Sequence, residues 1–143
     1  KSASIMLTVF WGLVMLGRVI ASFVVDRIGY MRSLIISVSL AIISFGAGIF
    51  PGEIYSYLIP LTGFFFALIF PTVTALAAKI FPDNKHKVFS FLFFFSGLGA
   101  LIGPWLVGYV ANWFGIALGF SMLLIFIIGT LVILLILKTR LYP

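Results

Sequence analysis

The 143-residue chain contains no cysteine, a single histidine (His86), and only three acidic residues, Asp26, Glu53 and Asp83. Without cysteine there is no disulfide framework and no thiolate nucleophile or metal ligand. One histidine excludes His-x-x-x-His zinc helices and other histidine-rich metal sites. The three acids are scattered, so no carboxylate pair is available for hydrolysis, and no Gly-rich phosphate cradle or Gly-x-Ser-x-Gly elbow occurs. The residues call for no metal and no cofactor. Charge of either sign is scarce, at 8% of residues against 64% hydrophobic, which is too little to clothe a water-soluble domain of this length. The fifty residues from Val88 to Leu137 carry no charge at all, far more than a buried soluble helix uses.

What is present is a series of long apolar runs, which predicts an all-α integral membrane protein forming one transmembrane domain over residues 1–143. Breakers divide the chain into five spanning helices, at about 5–25, 33–50, 55–80, 89–111 and 116–137. Each is long enough, at about 1.5 Å per residue, to cross about 30 Å of hydrocarbon. Gly29, Pro51-Gly52, Pro82-Asp83-Asn84 and Asn112-Trp113-Phe114-Gly115 mark the turns. The connections are short, so consecutive helices run antiparallel.

The net charge of +6 is spread singly over the ends of the apolar runs, a pattern that argues against either nucleic acid or anionic lipid as a partner. With five crossings, Arg27, Arg32, Lys79, Lys85, Lys87, Lys138 and Arg140 share one face, and the other has Lys1 and Glu53. The positive-inside rule makes the first face cytoplasmic. The N-terminus is then outside and the C-terminus inside, with the cell membrane as the expected location. The first run is too long for a signal peptide and no small-residue cleavage site follows it, so it is not expected to act as one. A chain that opens on Lys1 outside, without such a leader, is expected to be a fragment whose earlier helices lie upstream.

The first turn carries the most unusual chemistry, an acid among three arginines: Arg18, Ser22, Asp26-Arg27, Gly29 and Arg32. An unpaired carboxylate near hydrocarbon is costly, and at the C-terminal end of a helix the dipole adds about 0.3–1 kcal/mol against it. Asp26 is either part of a solvated loop that sets orientation, or a latch that meets Arg32 or the positive end of a neighbouring helix in one conformation only. Arg18 lies about 12 Å inside the first helix, where it either snorkels to the surface or pairs within a wet cavity.

Trp11 in the first helix and Phe66, Phe70 and Thr74 in the third are candidate cavity-lining residues, the last three spaced four apart. Against that, a phenylalanine stripe in a chain with 17 Phe is commonly packing or lipid-facing. Trp105, Tyr109 and Trp113 fit interfacial anchoring. In the fourth helix, Gly99 and Gly103 make a GxxxG pair beside Pro104 and Gly108. The run permits either close backbone packing or a helix that flexes near Ala100.

The first turn resembles the signature loop of the major facilitator superfamily, Gly-x-x-x-Asp-Arg-x-Gly followed by basic residues. Asp26-Arg27 and Gly29 match, Ser22 stands for the first glycine, and Arg32 supplies one of the basic residues. Tyr30 and Met31 occupy positions where further basic residues are common. Gly17-Arg18 looks like the version of this loop in the family's second half. Gly63…Ile69-Phe70-Pro71-Thr72…Ala75-Leu76-Ala77 is similar to the tenth helix, particularly of fucose-permease-like sugar transporters, and Gly99…Gly103-Pro104…Gly108 to the eleventh.

The resemblance implies that the five helices are the eighth to the twelfth of a twelve-helix fold, part of its C-terminal six-helix half. It implies secondary transport of a small polar solute, a sugar on the tenth-helix likeness, by rocking of two halves. The solute would move with a coupling proton or sodium ion, or down its own gradient. The partners are then the solute, the ion, the bilayer and the missing N-terminal half. Asp26 would face that half as part of a cytoplasmic gate, with Arg27 within reach of Asp83. The rival functions are a membrane-embedded lipid-modifying enzyme, for which Asp83 and His86 are the available groups, and a structural membrane subunit.

Overall fold

A computed structural model describes residues 2–49 and 58–141. The expected turn at Pro51-Gly52, the expected helix start at Tyr55, and the charges of Lys1 and Glu53 lie outside the described residues. The described residues are helical, with no strand: α1 (Ser2–Ile28), α2 (Tyr30–Ile49), α3 (Leu58–Phe66), α4 (Ile69–Ile80), α5 (Lys85–Phe114) and α6 (Ile116–Leu141). Five spans are long and apolar enough to cross a membrane, α3 and α4 together making the third.

The turns are shorter than the polar residues suggest. Gly29, at φ +90°, is the whole connection between α1 and α2. Its amide donates to the Val25 carbonyl at 2.9 Å, and its own carbonyl accepts from the Ser33 amide at 3.1 Å. Gly115, also at φ +90°, joins α5 to α6 in the same manner, donating to Ala111 and accepting from Gly119. A residue without Cβ enters this left-handed region at little cost, ending one helix and starting the next. Asp26, Arg27 and Arg32 are therefore helical residues flanking a one-residue joint. Nothing lies within 4 Å of a Cβ built on Gly29, so the cost of an alanine there is conformational alone. We expect Gly29→Ala to lower stability by about 1–2 kcal/mol in a thermal unfolding series. A loss well above that range would mean a packing role that this geometry does not contain.

The third span differs from the single helix expected over 55–80. It breaks into α3 and α4 at a turn over Ala67 and Leu68. The cause is Pro71: it has no N–H to give the Ala67 carbonyl four residues back, and its ring crowds that carbonyl. The ladder is intact on either side, with Ala67 donating to Gly63 and Thr72 to Leu68, each at 3.1 Å.

Packing centres on α2, which touches α3, α4 and α6. Leu34, Val38, Ala41 and Phe45 recur at helical spacing and are all buried. Met31, Leu34 and Val38 form one cluster with Leu76 of α4 and Leu134 of α6. Serines on α2 permit close approach: Ser44 is buried, and its hydroxyl donates to the Leu58 carbonyl at 2.8 Å. α5 has no buried residue, and its Phe91, Phe93, Phe94 and Trp105 are exposed, as suits a helix facing hydrocarbon or further helices.

α1 packs mainly on α3 through reciprocal glycines. A Cβ on Gly17 would lie 2.6 Å from the Phe64 carbonyl oxygen and 2.8 Å from the Ala67 Cβ. One on Gly63 would lie 2.8 Å from the Phe10 carbonyl oxygen. Each helix thus presents a glycine to the other's backbone. Gly119 of α6 is packed in the same way, against Val107 and Ala111 of α5.

Candidate functional site

Arg18, Ser22 and Asp26 are spaced four apart on α1 and so share one helix face. All three line a groove of about 280 Å³ whose other walls are Ala21, Val25 and Tyr30, together with Pro71, Thr72 and Ala75 of α4. The glycine contact at Gly17 holds α1 against the third span just above this groove. Ala21, buried one turn on, keeps the separation small. The groove is amphipathic: a cation and an acid about 12 Å apart along the helix axis, with hydroxyls between them. The Ser22 hydroxyl is already engaged, donating to the Val19 carbonyl at 2.7 Å.

Asp26 is exposed, and among the described residues no carboxylate forms an ion pair with a lysine or arginine within 4.0 Å. Arg32 therefore does not neutralise it. The two charges are sorted into different cavities. Arg32 lines a second one, of about 370 Å³, with Ile28, Gly29, Tyr30, Met31 and Lys138. Tyr30 lines both cavities and separates them, and the Lys79 ammonium sits 5.7 Å from the centre of its ring. Arg27 and Asp83 are both exposed and unpaired with each other.

Phe66 and Phe70 line neither of these. They face a larger apolar crevice of about 750 Å³ between α2, the end of α3, α4, α5 and α6, with Phe45, Phe95 and Phe126 as further aromatic walls. The Phe70 ring also packs edge-on against Phe93 at 5.3 Å. Thr74 is not part of that lining; its hydroxyl donates back to the Phe70 and Pro71 carbonyls. Arg18 and the aromatic stripe thus belong to separate spaces. Trp11 lines none of these three spaces, is 59% exposed, and packs edge-on against Phe10 at 5.6 Å.

Gly99, Gly103 and Gly108 meet no neighbour within 4 Å of an added Cβ, and α5 runs unbroken through Pro104. The close approaches are instead at Gly17, Gly63 and Gly119. Their signal is in the sequence as small residues four apart: Gly17 and Ala21, Gly63 and Ala67, Ala111 and Gly119 about Gly115. Lys138, which completes the basic cavity, has no comparable signal, since only the return of α6 to the α1–α2 joint brings it there. Among the described residues no cluster of three or more metal-ligating side chains occurs.

Residues 1–143 match the family model of the Major Facilitator Superfamily from end to end. The chain belongs to that superfamily. It is an integral, multi-pass membrane protein. Over 98 residues it is 26% identical to the uncharacterised MFS-type transporter YttB of Bacillus subtilis (strain 168), covering 67% of this chain and 25% of that one. Its fold is similar to the crystal structure of a peptide transporter, POT, in complex with alafosfalin. The TM-score is 0.83 at 21% identity, over 92% of this chain and 28% of that one. The chain therefore spans about a quarter of the length of each protein it matches.

Proposed function

We propose that this superfamily member is part of a secondary transporter that carries a small polar solute across the cell membrane by alternating access. Family membership across the whole chain supports the transport class, and the groove of Arg18, Ser22 and Asp26 is the observation that carries the mechanism. An acid held open, without an ion pair among the described residues, is suited to a partner on an element that approaches and departs. On this reading the spans are helices eight to twelve, and Asp26 closes against the N-terminal half when the cytoplasmic side shuts. Arg27, Gly29 and Arg32 shape the joint. The gathering of basic residues at the Asp26 end supports a cytoplasmic position for that end.

The solute class we favour is a sugar, on the likeness of the third span around Pro71-Thr72 to sugar carriers, with a proton or sodium ion as driver. The described spans contain no acid apart from Asp26 near the end of α1, so an ion-coupling carboxylate would belong to other helices. The full chain in proteoliposomes should accumulate a labelled sugar when a proton or sodium gradient is imposed, and lose that accumulation when the gradient is collapsed. Absence of gradient-driven flux for sugars and other polar solutes, with correctly inserted protein, overturns the proposal.

A further inference from the structure

The cavity that holds Arg32 is distinct from the Asp26 groove, and the transport proposal uses its Gly29 and Arg32 only to shape the joint. Its two cations come from helices far apart in sequence, Arg32 from the first turn of α2 and Lys138 from the last turn of α6. Among the described residues no acid lines it, since Asp26 lines the other groove, which shares Tyr30 with it. The positive end of α2 adds charge of the same sign. Two like charges brought to one small space with no counter-charge repel each other, and an anion between them reverses the sign of that interaction. Gly29 lines the cavity and has no side chain, so backbone forms part of the wall and leaves room for a bulky oxyanion.

The apolar surroundings identify the anion. Ile28 lines the cavity and is 43% exposed, and Leu135, one turn before Lys138 on the same face of α6, is exposed as well. Cations at the end of a membrane span, beside exposed apolar side chains, fit a charged head that carries acyl chains. We infer that the cavity bounded by Gly29, Tyr30, Arg32 and Lys138 binds the phosphate of an anionic phospholipid, with the acyl chains lying along α6. The size, about 370 Å³, suits a phosphate with its glycerol and not a whole lipid. The inference rests on membrane embedding and not on transport, so a protein that moves no solute leaves it standing.

The test is binding of dioleoyl phosphatidylglycerol to the full chain in detergent by native mass spectrometry, with dioleoyl phosphatidylcholine and inorganic phosphate as the other arms. The pair Arg32→Gln with Lys138→Gln should bind phosphatidylglycerol about 30-fold more weakly, from about 1 kcal/mol for each basic residue near an anionic surface. The pair Arg32→Lys with Lys138→Arg, which keeps both charges, should stay within a few-fold of the parent and guards against a folding defect. Lys85→Gln with Lys87→Gln, at the same end of the bundle but outside the cavity, should also bind like the parent. Unchanged affinity in the first pair overturns the inference, as does an equal loss in the Lys85 and Lys87 pair. Displacement of the lipid by millimolar inorganic phosphate would overturn the lipid assignment and leave a soluble anion as the occupant.

Discussion

Gly17→Val should leave almost no folded protein in detergent, whereas Gly12→Ala, one and a half turns earlier on the same helix, should be harmless. A Cβ at Gly17 meets the Phe64 carbonyl oxygen at 2.6 Å and the Ala67 Cβ at 2.8 Å. The oxygen belongs to a helix backbone and cannot rotate away as a side-chain tip can. Relief requires α1 to move off α3, which opens the contact at Gly63 as well, since the two glycines serve one interface from opposite sides. Overpacking typically costs about 1–3 kcal/mol, and a backbone clash with a β-branched residue belongs at the top of that range. Gly12 has nothing within 4 Å, so alanine there gains helix propensity of about 1 kcal/mol without a clash. Fluorescence size-exclusion chromatography and thermal unfolding read both variants. A well-folded Gly17→Val protein would show that α1 and the third span are not held together by this contact.

Asp26→Asn should insert and fold normally, yet transport at least about tenfold more slowly. The carboxylate has no ion pair among the described residues, so neutralising it removes nothing from the fold. Its energetic effect appears only if a partner arrives in one conformation of the whole transporter. A hydrogen bond to a charged group contributes about 1.5–3 kcal/mol, which is a shift of about 10- to 100-fold between inward-closed and inward-open populations. Asp26→Glu, which keeps the charge but lengthens the arm, should recover part of the rate. Uptake kinetics and a protease-accessibility assay on the cytoplasmic side separate the outcomes. Unchanged kinetics in Asp26→Asn, with normal insertion, removes the gate. Faster unfolding would instead assign Asp26 a structural contact.

The five spans were legible because hydrocarbon imposes length and polarity so strongly that apolar runs and their breakers are nearly sufficient. Two features fell between the rules. A polar stretch such as 26–32 reads as a loop, but Gly29 alone makes the reversal, so Asp26 and Arg32 are fixed on helices instead of free on a turn. That rigidity explains why they occupy separate cavities despite being six residues apart. The break in the third span was written at Pro71, and the same rule that suggests a bend at Ala100 from Pro104 applies to Ala67. Which glycines pack and which stand open was less accessible. GxxxG and its small-residue variants occur in α1, α3, α5 and α6 alike. Only the arrangement of neighbours distinguishes Gly17 and Gly63 from Gly99 and Gly103. The grouping of Arg18 with Asp26 follows from helical spacing, whereas the pairing of Lys138 with Arg32 depends on how α6 returns across the bundle.

The interruption at Ala67 and Leu68 also has a mechanical consequence. The upper piece of the third span is clamped to α1 by Gly63 and Phe64, while the lower piece supplies Pro71, Thr72 and Ala75 to the Asp26 groove. A continuous rod would transmit any tilt along its whole length, because bending it strains every hydrogen bond in turn. With the ladder interrupted at its midpoint, the lower half does not have to follow the tilt of the upper: Leu76, Ile69 and Val73 seat it on α2 and α6, so the wall of the groove takes its position from the core and not from the clamp on α1.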